Sequence, residues 1–145
     1  DVVTAADIRA VCTTQTTNKI FDMVRAVTEK NQKRALDLYY DLLTLREPPM
    51  RILFLLAKQF RQICLTKKMS QEGLSQTEIA SKLGVPSFVV RNLASCARSY
   101  TVEELENAVR DFVDAEEAVK TGTLGDVLSV ELLIVKYSSA RAVRA

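Results

Sequence analysis

Apolar residues recur every three or four positions along most of the chain, which is the spacing of amphipathic helices. No segment shows the strict alternation of a half-buried strand. The pattern predicts helices over residues 5–12, 18–27, 32–45, 49–67, 76–83, 87–98, 102–120 and 124–138. We expect a loop at Thr13–Thr17, because this stretch is polar and rich in β-branched threonine. The sequence therefore predicts an all-α fold.

Local signals mark several of the predicted helix ends. Capping boxes, in which two side chains satisfy backbone N–H groups of the first turn, are present at Ser75–Glu78 and Thr101–Glu104, and Thr4–Asp7 resembles one. Asn18 is a plausible N-cap, and Gly84 is a suitable residue to end a helix. Proline at the start of the helix over 49–67 is tolerated, because its missing N–H would be unpaired there.

Two of the predicted helices have distinctive surfaces. The helix over 49–67 is apolar around most of its circumference, which is typical of a central, buried helix. We expect it to end before a loop that contains Lys67, Lys68 and Gly73. The helix over 102–120 has one acidic face, which we interpret as solvated rather than catalytic. Its apolar stripe is predicted to consist of Val102, Leu105, Val109, Phe112, Val113 and Val119.

The last predicted helix has two apolar faces and therefore needs two neighbours. One face consists of Leu124, Val127, Leu128, Ile134 and Val135. The other face consists of Val130, Leu133 and Tyr137, and we predict it as a partner interface. The alternative is that both neighbours lie within this chain. Glu131 lies on the first stripe and should find a partner if it is buried.

Composition excludes several classes of enzyme. The 145 residues include no histidine, and the three cysteines, Cys12, Cys64 and Cys96, are too far apart in sequence for a CxxC motif. Histidine-dependent triads, imidazole metal sites and CxxC redox or zinc motifs are therefore absent, and so are the P-loop and GxGxxG motifs. We predict no catalytic residues, no cofactor and no metal. We interpret the cysteines as reduced, buried thiols of an intracellular protein.

The formal net charge of +2 conceals a segregation of charge along the chain. Residues 1–45 are neutral overall, residues 46–98 carry +6, residues 99–131 carry −7 and residues 132–145 carry +3. Neighbouring blocks of opposite sign favour docking within the chain or with a partner. No secretory signal or membrane-spanning segment is evident, since the longest apolar run is the six residues Ile52–Ala57.

Residues 74–93 have the outline of a helix-turn-helix. Its second helix begins Ser87-Phe88-Val89-Val90, and within it only Ser87, Arg91 and Asn92 could reach a base or phosphate. We interpret Phe88, Val89 and Val90 as packing residues, so a helical hairpin that merely packs is the alternative. The residues that could contact nucleic acid, or form a phosphate-binding patch, are Arg61, Lys67, Lys68, Arg91, Asn92 and Arg98. The alternative for these basic residues is a solvated face or one that meets an acidic helix in a partner.

Several short blocks together resemble a known family. They are Ile20-Phe21-Asp22 with Ala26-Val27; Leu42-Leu43, Arg46-Glu47-Pro48-Pro49 and Ile52-Leu53; Gln59-Phe60-Arg61 with Lys67; Ile79-Ala80, Leu83-Gly84-Val85 and Phe88-Val89-Val90; and Val119-Lys120-Thr121-Gly122 with Glu131-Leu132-Leu133. In order and spacing, residues from about Ala6 to Tyr137 resemble the C-terminal region of the bacterial DNA polymerase III delta subunit, a component of the sliding-clamp loader. The chain departs from the family pattern at Arg46, where glycine is usual, at Pro86 and at Glu116.

The resemblance implies a small AAA+ lid helical bundle over residues 1–47, followed by a collar-type oligomerisation domain over 48–145. It implies a non-catalytic part of the polymerase holoenzyme in the bacterial cytoplasm, whose partners are the other clamp-loader subunits. Contact with the sliding clamp would occur only through an N-terminal AAA+ domain, which the resemblance places before Asp1. Contact with DNA would be weak or indirect, and no membrane is involved. The alternatives are a helix-turn-helix regulator and an unrelated helical enzyme.

Overall fold

The computed structural model describes the backbone of residues 5–139 and the side chains of residues 16–139. This part of the chain contains seven helices and no strand, so the prediction of an all-α fold is confirmed. The helices are α1 (Ala5–Thr28), α2 (Gln32–Thr44), α3 (Pro49–Gln71), α4 (Gln76–Leu83), α5 (Ser87–Ala97), α6 (Val102–Lys120) and α7 (Asp126–Ser138).

Both strong capping boxes form as predicted. The Ser75 side chain accepts from the backbone N–H of Glu78, and the Glu78 carboxylate accepts from the backbone N–H of Ser75. Thr101 and Glu104 make the same reciprocal pair at the start of α6. Gly84 ends α4 with φ +70°, a left-handed conformation that glycine adopts without steric cost. Local signals therefore define the ends of the short helices correctly.

Two predicted breaks are wrong. Helix α1 continues through Thr13–Thr17, so there is no loop there and Asn18 is not an N-cap. Helix α3 continues to Gln71, so Lys67 and Lys68 are helical. Relative to alanine, each threonine destabilises a helix by only about 0.7 kcal/mol. This is less than the free-energy cost of interrupting a helix that is already formed. The predicted cap at Thr4 lies outside the described residues.

Helix α3 lies at the centre of the bundle and packs against five of the other helices: α1, α4, α5, α6 and α7. Its residues Ile52, Leu53, Leu56, Phe60 and Ile63 are all buried, as its apolar circumference predicts. The Phe60 ring lies 5.2 Å from that of Phe112, 6.0 Å from that of Tyr137 and 6.1 Å from that of Tyr100, between ring centroids. These aromatic rings connect α3 to α6, α7 and the turn that precedes α6.

The hydrophobic core runs without a break across Pro48. Buried residues on α1 and α2, such as Val24 and Tyr39, belong to the same cluster as those on α3, α6 and α7. The division into lid and collar at residue 48 stays a prediction. Any such division leaves the two parts sharing one core.

Helices α4 and α5 form a hairpin with a small core of their own. Ile79, Ala80 and Val90 are buried together, and Leu83 contacts both this cluster and the main core. On α6, the predicted apolar stripe is correct except at its edge. Val113 is exposed, because it follows the buried Phe112 by one position and therefore points away from the core.

The turn between α2 and α3 contains a strained residue. Arg46, which stands where the family usually has glycine, has φ +63°. Residues other than glycine and asparagine are disfavoured in this left-handed region by about 1 kcal/mol. The turn therefore holds Arg46 in a strained conformation.

Candidate functional site

The inner face of α7 is buried within this chain. Val130, Leu133 and Tyr137, the three residues predicted to contact a partner, all lie in the main core. The Tyr39 hydroxyl donates to the Val127 carbonyl at 2.8 Å, and the Tyr100 hydroxyl donates to the Tyr137 carbonyl at 2.7 Å. These bonds hold α7 against α2 and the α5–α6 turn. This face therefore finds its neighbours inside the chain and is unavailable to a partner.

Tyr137 also joins α7 to α6 through Asp111. Its hydroxyl donates to the Asp111 carboxylate, which also accepts from Lys136 at 2.7 Å. Burial, followed by the hydrogen bond to Asp111, raises the pKa of Tyr137 well above its usual range. Burial alone would raise the pKa of Asp111, but the hydrogen bonds from Lys136 and Tyr137 outweigh it and lower the pKa. The carboxylate is therefore ionised and holds the two helices together.

The outer face of α7 remains apolar and exposed. We define the α7 outer face as Leu128, Leu132 and Val135. Leu128 is 47% exposed and Leu132 is 51% exposed, and they lie one turn apart. At one edge of this face, the Tyr40 hydroxyl donates to the Glu131 carboxylate, which supplies the partner expected for Glu131. The four-residue spacing of Leu128 and Leu132 indicates an apolar helix face in the sequence. Because the helix has a second apolar face, the sequence does not show which of the two is exposed.

Both predicted phosphate-contacting lysines, Lys67 and Lys68, are held by groups of this chain. The Lys67 ammonium donates to the Ala97 carbonyl at the end of α5, at 3.0 Å. The Lys68 ammonium lies 2.7 Å from the Glu106 carboxylate of α6. The hydrogen bond between them raises the pKa of Lys68 and lowers that of Glu106. Both lysines therefore help to join α3 to its neighbours.

The six predicted nucleic-acid residues lie on α3, on α5 and at the C-cap of α5. Arg61 lines a shallow groove between α3 and α6 with Lys68 and Arg110, a residue that the sequence analysis missed. Arg91 and Asn92 are exposed on α5, and Arg98 is exposed at its C-cap. A role of these residues in nucleic-acid contact stays a prediction.

A second, deeper groove lies between α1, α3 and α5. Its volume is about 380 Å³, and its apolar lining includes Phe21, Val24, Ile63, Phe88, Val89 and Leu93. Phe88 is 57% exposed here, so its interpretation as a packing residue is wrong. Val90, two positions later, is fully buried as predicted. The second helix of the hairpin therefore packs through Val90 rather than through Phe88.

The described residues offer few groups suited to metal binding or to reactions at a thiol. Within residues 16–139, no group of three or more cysteine, aspartate or glutamate side chains is placed to hold a metal ion. Cys64 is buried and Cys96 is half-buried, and both are free thiols whose pKa is raised mainly by burial. In the part of the chain that the structure describes, no helix has the length and apolarity needed to span a membrane.

Comparisons with known proteins agree with the resemblance. Residues 17–137 match the family described as the DNA polymerase III delta subunit, C-terminal domain. The chain is 29% identical over 134 residues to the DNA polymerase III subunit delta of Bacillus subtilis (strain 168), covering 92% of this chain and 39% of that protein. It is also similar to the solved structure of the Bacillus subtilis DNA clamp loader delta protein (YqeN), with a TM-score of 0.79 and 30% identity, covering 85% of this chain and 36% of that one.

The chain therefore spans less than two fifths of the length of these relatives. The family match extends continuously over α2, α3 and the turn that joins them. No comparison favours the helix-turn-helix regulator. The chain belongs to the DNA polymerase III delta subunit family, whose C-terminal domain it matches over residues 17–137.

Proposed function

We propose that this chain is the lid-plus-collar part of a clamp-loader delta subunit, and that it holds the loader together in DNA replication by binding the other loader subunits. The family match over residues 17–137 carries this proposal. The chain itself performs no catalysis and needs no cofactor. We assign contact with the sliding clamp to the part of the delta subunit that this chain does not match. The complex works in the bacterial cytoplasm.

The α7 outer face is the surface that we assign to this assembly role. Leu128 and Leu132 are half-exposed on a helix whose opposite face is anchored in the core. Large exposed apolar side chains next to each other are typical of protein–protein contacts. The hydrogen bonds from Tyr39 and Tyr100 fix the helix before a partner arrives, so little conformational entropy is lost on binding.

We further propose that the lid, residues 1–47, and the collar, residues 48–145, move together. The shared core and the Tyr39–Val127 hydrogen bond support this. A subunit contact made at α7 would then fix the orientation of α2 as well. Sliding of one part past the other would require breaking buried contacts.

The test is co-elution of the full chain with the remaining clamp-loader subunits of the same organism in size-exclusion chromatography. Leu128→Ser with Leu132→Ser should abolish co-elution while leaving the chain folded. The matched control, Leu45→Ser with Phe88→Ser, removes two side chains of similar exposure elsewhere and should co-elute normally.

Labelled duplex DNA is analysed in parallel. Failure of the unaltered chain to co-elute, combined with tight duplex binding, would contradict the assembly role. Loss of co-elution in the control variant as well as in the Leu128/Leu132 variant would contradict the assignment to α7.

A further inference from the structure

A groove between α3 and α6 combines an apolar floor with a basic rim. We define the α3–α6 groove by its lining, which is Arg61, Cys64, Leu65, Lys68, Glu106, Val109 and Arg110, and its volume is about 370 Å³. It lies apart from the α7 outer face. Helix α6 uses Asp111 to contact α7, whereas Glu106 faces α3.

The charge in the groove is unbalanced. Three cations and one carboxylate line it, and the carboxylate of Glu106 is 2.7 Å from Lys68. Arg61 and Arg110 are exposed, and neither lies within ion-pair distance of a carboxylate among the described residues, although the charge of Arg110 helps to lower the pKa of Glu106 and of Asp111. Two guanidinium groups, one from each helix, are therefore available to an incoming anionic group. Arginine is well suited to this, because its planar fork binds a carboxylate through two hydrogen bonds.

The floor of the groove is apolar, and two further exposed apolar side chains lie beyond it, with the exposed Lys58 and Arg61 between Phe54 and Leu65 on α3. Leu65 is exposed and Val109 is partly buried. Phe54 lies three turns before Leu65 on the same face of α3, and Val113 follows Val109 by one turn on α6; both are exposed. A ligand that covered this surface would bury several large apolar side chains.

We propose that the α3–α6 groove docks an acidic amphipathic helix of a partner protein. Its apolar side chains would cover Leu65 and Val109, and carboxylates along its edge would pair with Arg61 and Arg110. Recognition of this kind places an apolar helix face in a groove and uses charge at the rim to set orientation. The proposal goes beyond the assembly role, because it concerns a different face of the molecule and a partner of different chemistry.

Nucleic acid fits the same surface less well. A nucleic-acid strand carries one phosphate about every 3.4 Å, so its backbone would extend past the two arginines in both directions. A short, isolated pair of cations over an apolar floor matches a helix with one or two carboxylates better than a continuous line of phosphates.

The experiment measures fluorescence anisotropy of a designed, labelled peptide with the full chain. The peptide is an amphipathic helix with leucine on one face and glutamate at both edges, and the matched peptide has lysine in place of every glutamate. The acidic peptide should bind saturably, and the lysine peptide should bind at least tenfold more weakly. Single-stranded and duplex DNA of equal charge are titrated in parallel.

Variants of the chain locate the binding. Arg61→Glu with Arg110→Glu should weaken peptide binding at least tenfold. The matched control, Arg34→Glu with Arg91→Glu, reverses two exposed arginines outside the groove and should change it less than twofold. Glu106→Gln should strengthen binding, because it removes the competing carboxylate and releases Lys68.

Three outcomes would overturn the proposal. One is the absence of saturable binding by the acidic peptide. Another is an equal loss of binding in the Arg34/Arg91 control, which would indicate attraction by net charge alone. The last is tighter binding of DNA than of the peptide, with the DNA affinity lost in the Arg61/Arg110 variant. The assembly role is tested separately, by co-elution of α7 variants with loader subunits. None of these three results would therefore contradict it.

Discussion

Leu133 and Leu132 are adjacent residues of the same type, but they differ sharply in burial. Leu133 is 7% exposed and lies in the main core, whereas Leu132 is 51% exposed on the α7 outer face. Replacing a buried leucine by alanine removes apolar contacts and leaves a cavity, which costs about 2–5 kcal/mol of unfolding free energy. Replacing an exposed leucine in a helix changes it by no more than about 0.5 kcal/mol.

We therefore expect Leu133→Ala to lower the midpoint of thermal unfolding by about 10 °C, since about 3 kcal/mol corresponds to a shift of this size in a chain of similar length. Leu132→Ala should leave the midpoint within about 2 °C of the unaltered chain. For binding to the other subunits, we expect Leu132→Ala to have the larger direct effect. A leucine side chain that loses its remaining half of exposed surface contributes about 1 kcal/mol, so Leu132→Ala should weaken the subunit contact about fivefold.

The thermal midpoint is measured by heating the chain while circular dichroism is recorded at 222 nm. Urea denaturation followed by the same signal yields the free energy of unfolding and its dependence on denaturant. Subunit binding is measured separately by titration calorimetry on the same preparations. The reasoning is refuted if Leu132→Ala destabilises the chain as much as Leu133→Ala does. That result would mean that α7 is rotated about its axis relative to the arrangement described above.

Three further predictions concern other parts of the fold. Val90→Ala should lower the unfolding free energy by about 1–2 kcal/mol, while Phe88→Ala should change it by about 0.5 kcal/mol or less; equal losses would show that Phe88 is a core residue after all. Gly84 and Arg46 both have positive φ, which favours glycine. Gly84→Ala should therefore destabilise the chain by about 1 kcal/mol, and Arg46→Gly should stabilise it by about 0.5 kcal/mol. Urea midpoints that move in the other direction would contradict the turn geometry. The pKa of Asp111 is lowered in the folded chain, so its ionised form stabilises the fold above its unfolded pKa of about 3.9, and this contribution is lost as the pH falls below that value. Asp111→Asn should therefore be less stable than the unaltered chain at pH 7, with the difference shrinking by pH 2 in denaturation curves; a constant difference would indicate that charge is not involved.

Helix ends that depend on local chemistry were predictable from the sequence. The capping boxes at Ser75 and Thr101 and the left-handed Gly84 involve residues within one turn of each other, so the pattern contains all the information required. The loop expected at Thr13–Thr17 was wrong because a residue's own propensity is small beside the cooperativity of a continuous helix.

The partner surface was not predictable in the same way. Both faces of α7 are apolar, and the positions of α1, α2, α3 and α6 decide which of them is buried. The apolar pattern favoured Val130, Leu133 and Tyr137 as the partner interface. These three residues are buried within the chain, whereas Leu128 and Leu132 are exposed. Likewise, no spacing rule brings Arg61 next to Arg110, which lies on a different helix. Such sites depend on tertiary contacts between residues that are distant in sequence.

The bond from Tyr39 to the Val127 carbonyl has a consequence for the order of events during synthesis. The two residues are 88 positions apart, so α2 leaves the ribosome well before the helix that completes its packing. At about 5–20 residues per second, the interval is about 4–18 s. Throughout this time the apolar surface of α2 that α7 will cover is open to solvent and to chaperones. A nascent chain stalled before residue 126 should therefore be captured by trigger-factor-type chaperones more strongly than one stalled after α7 has emerged.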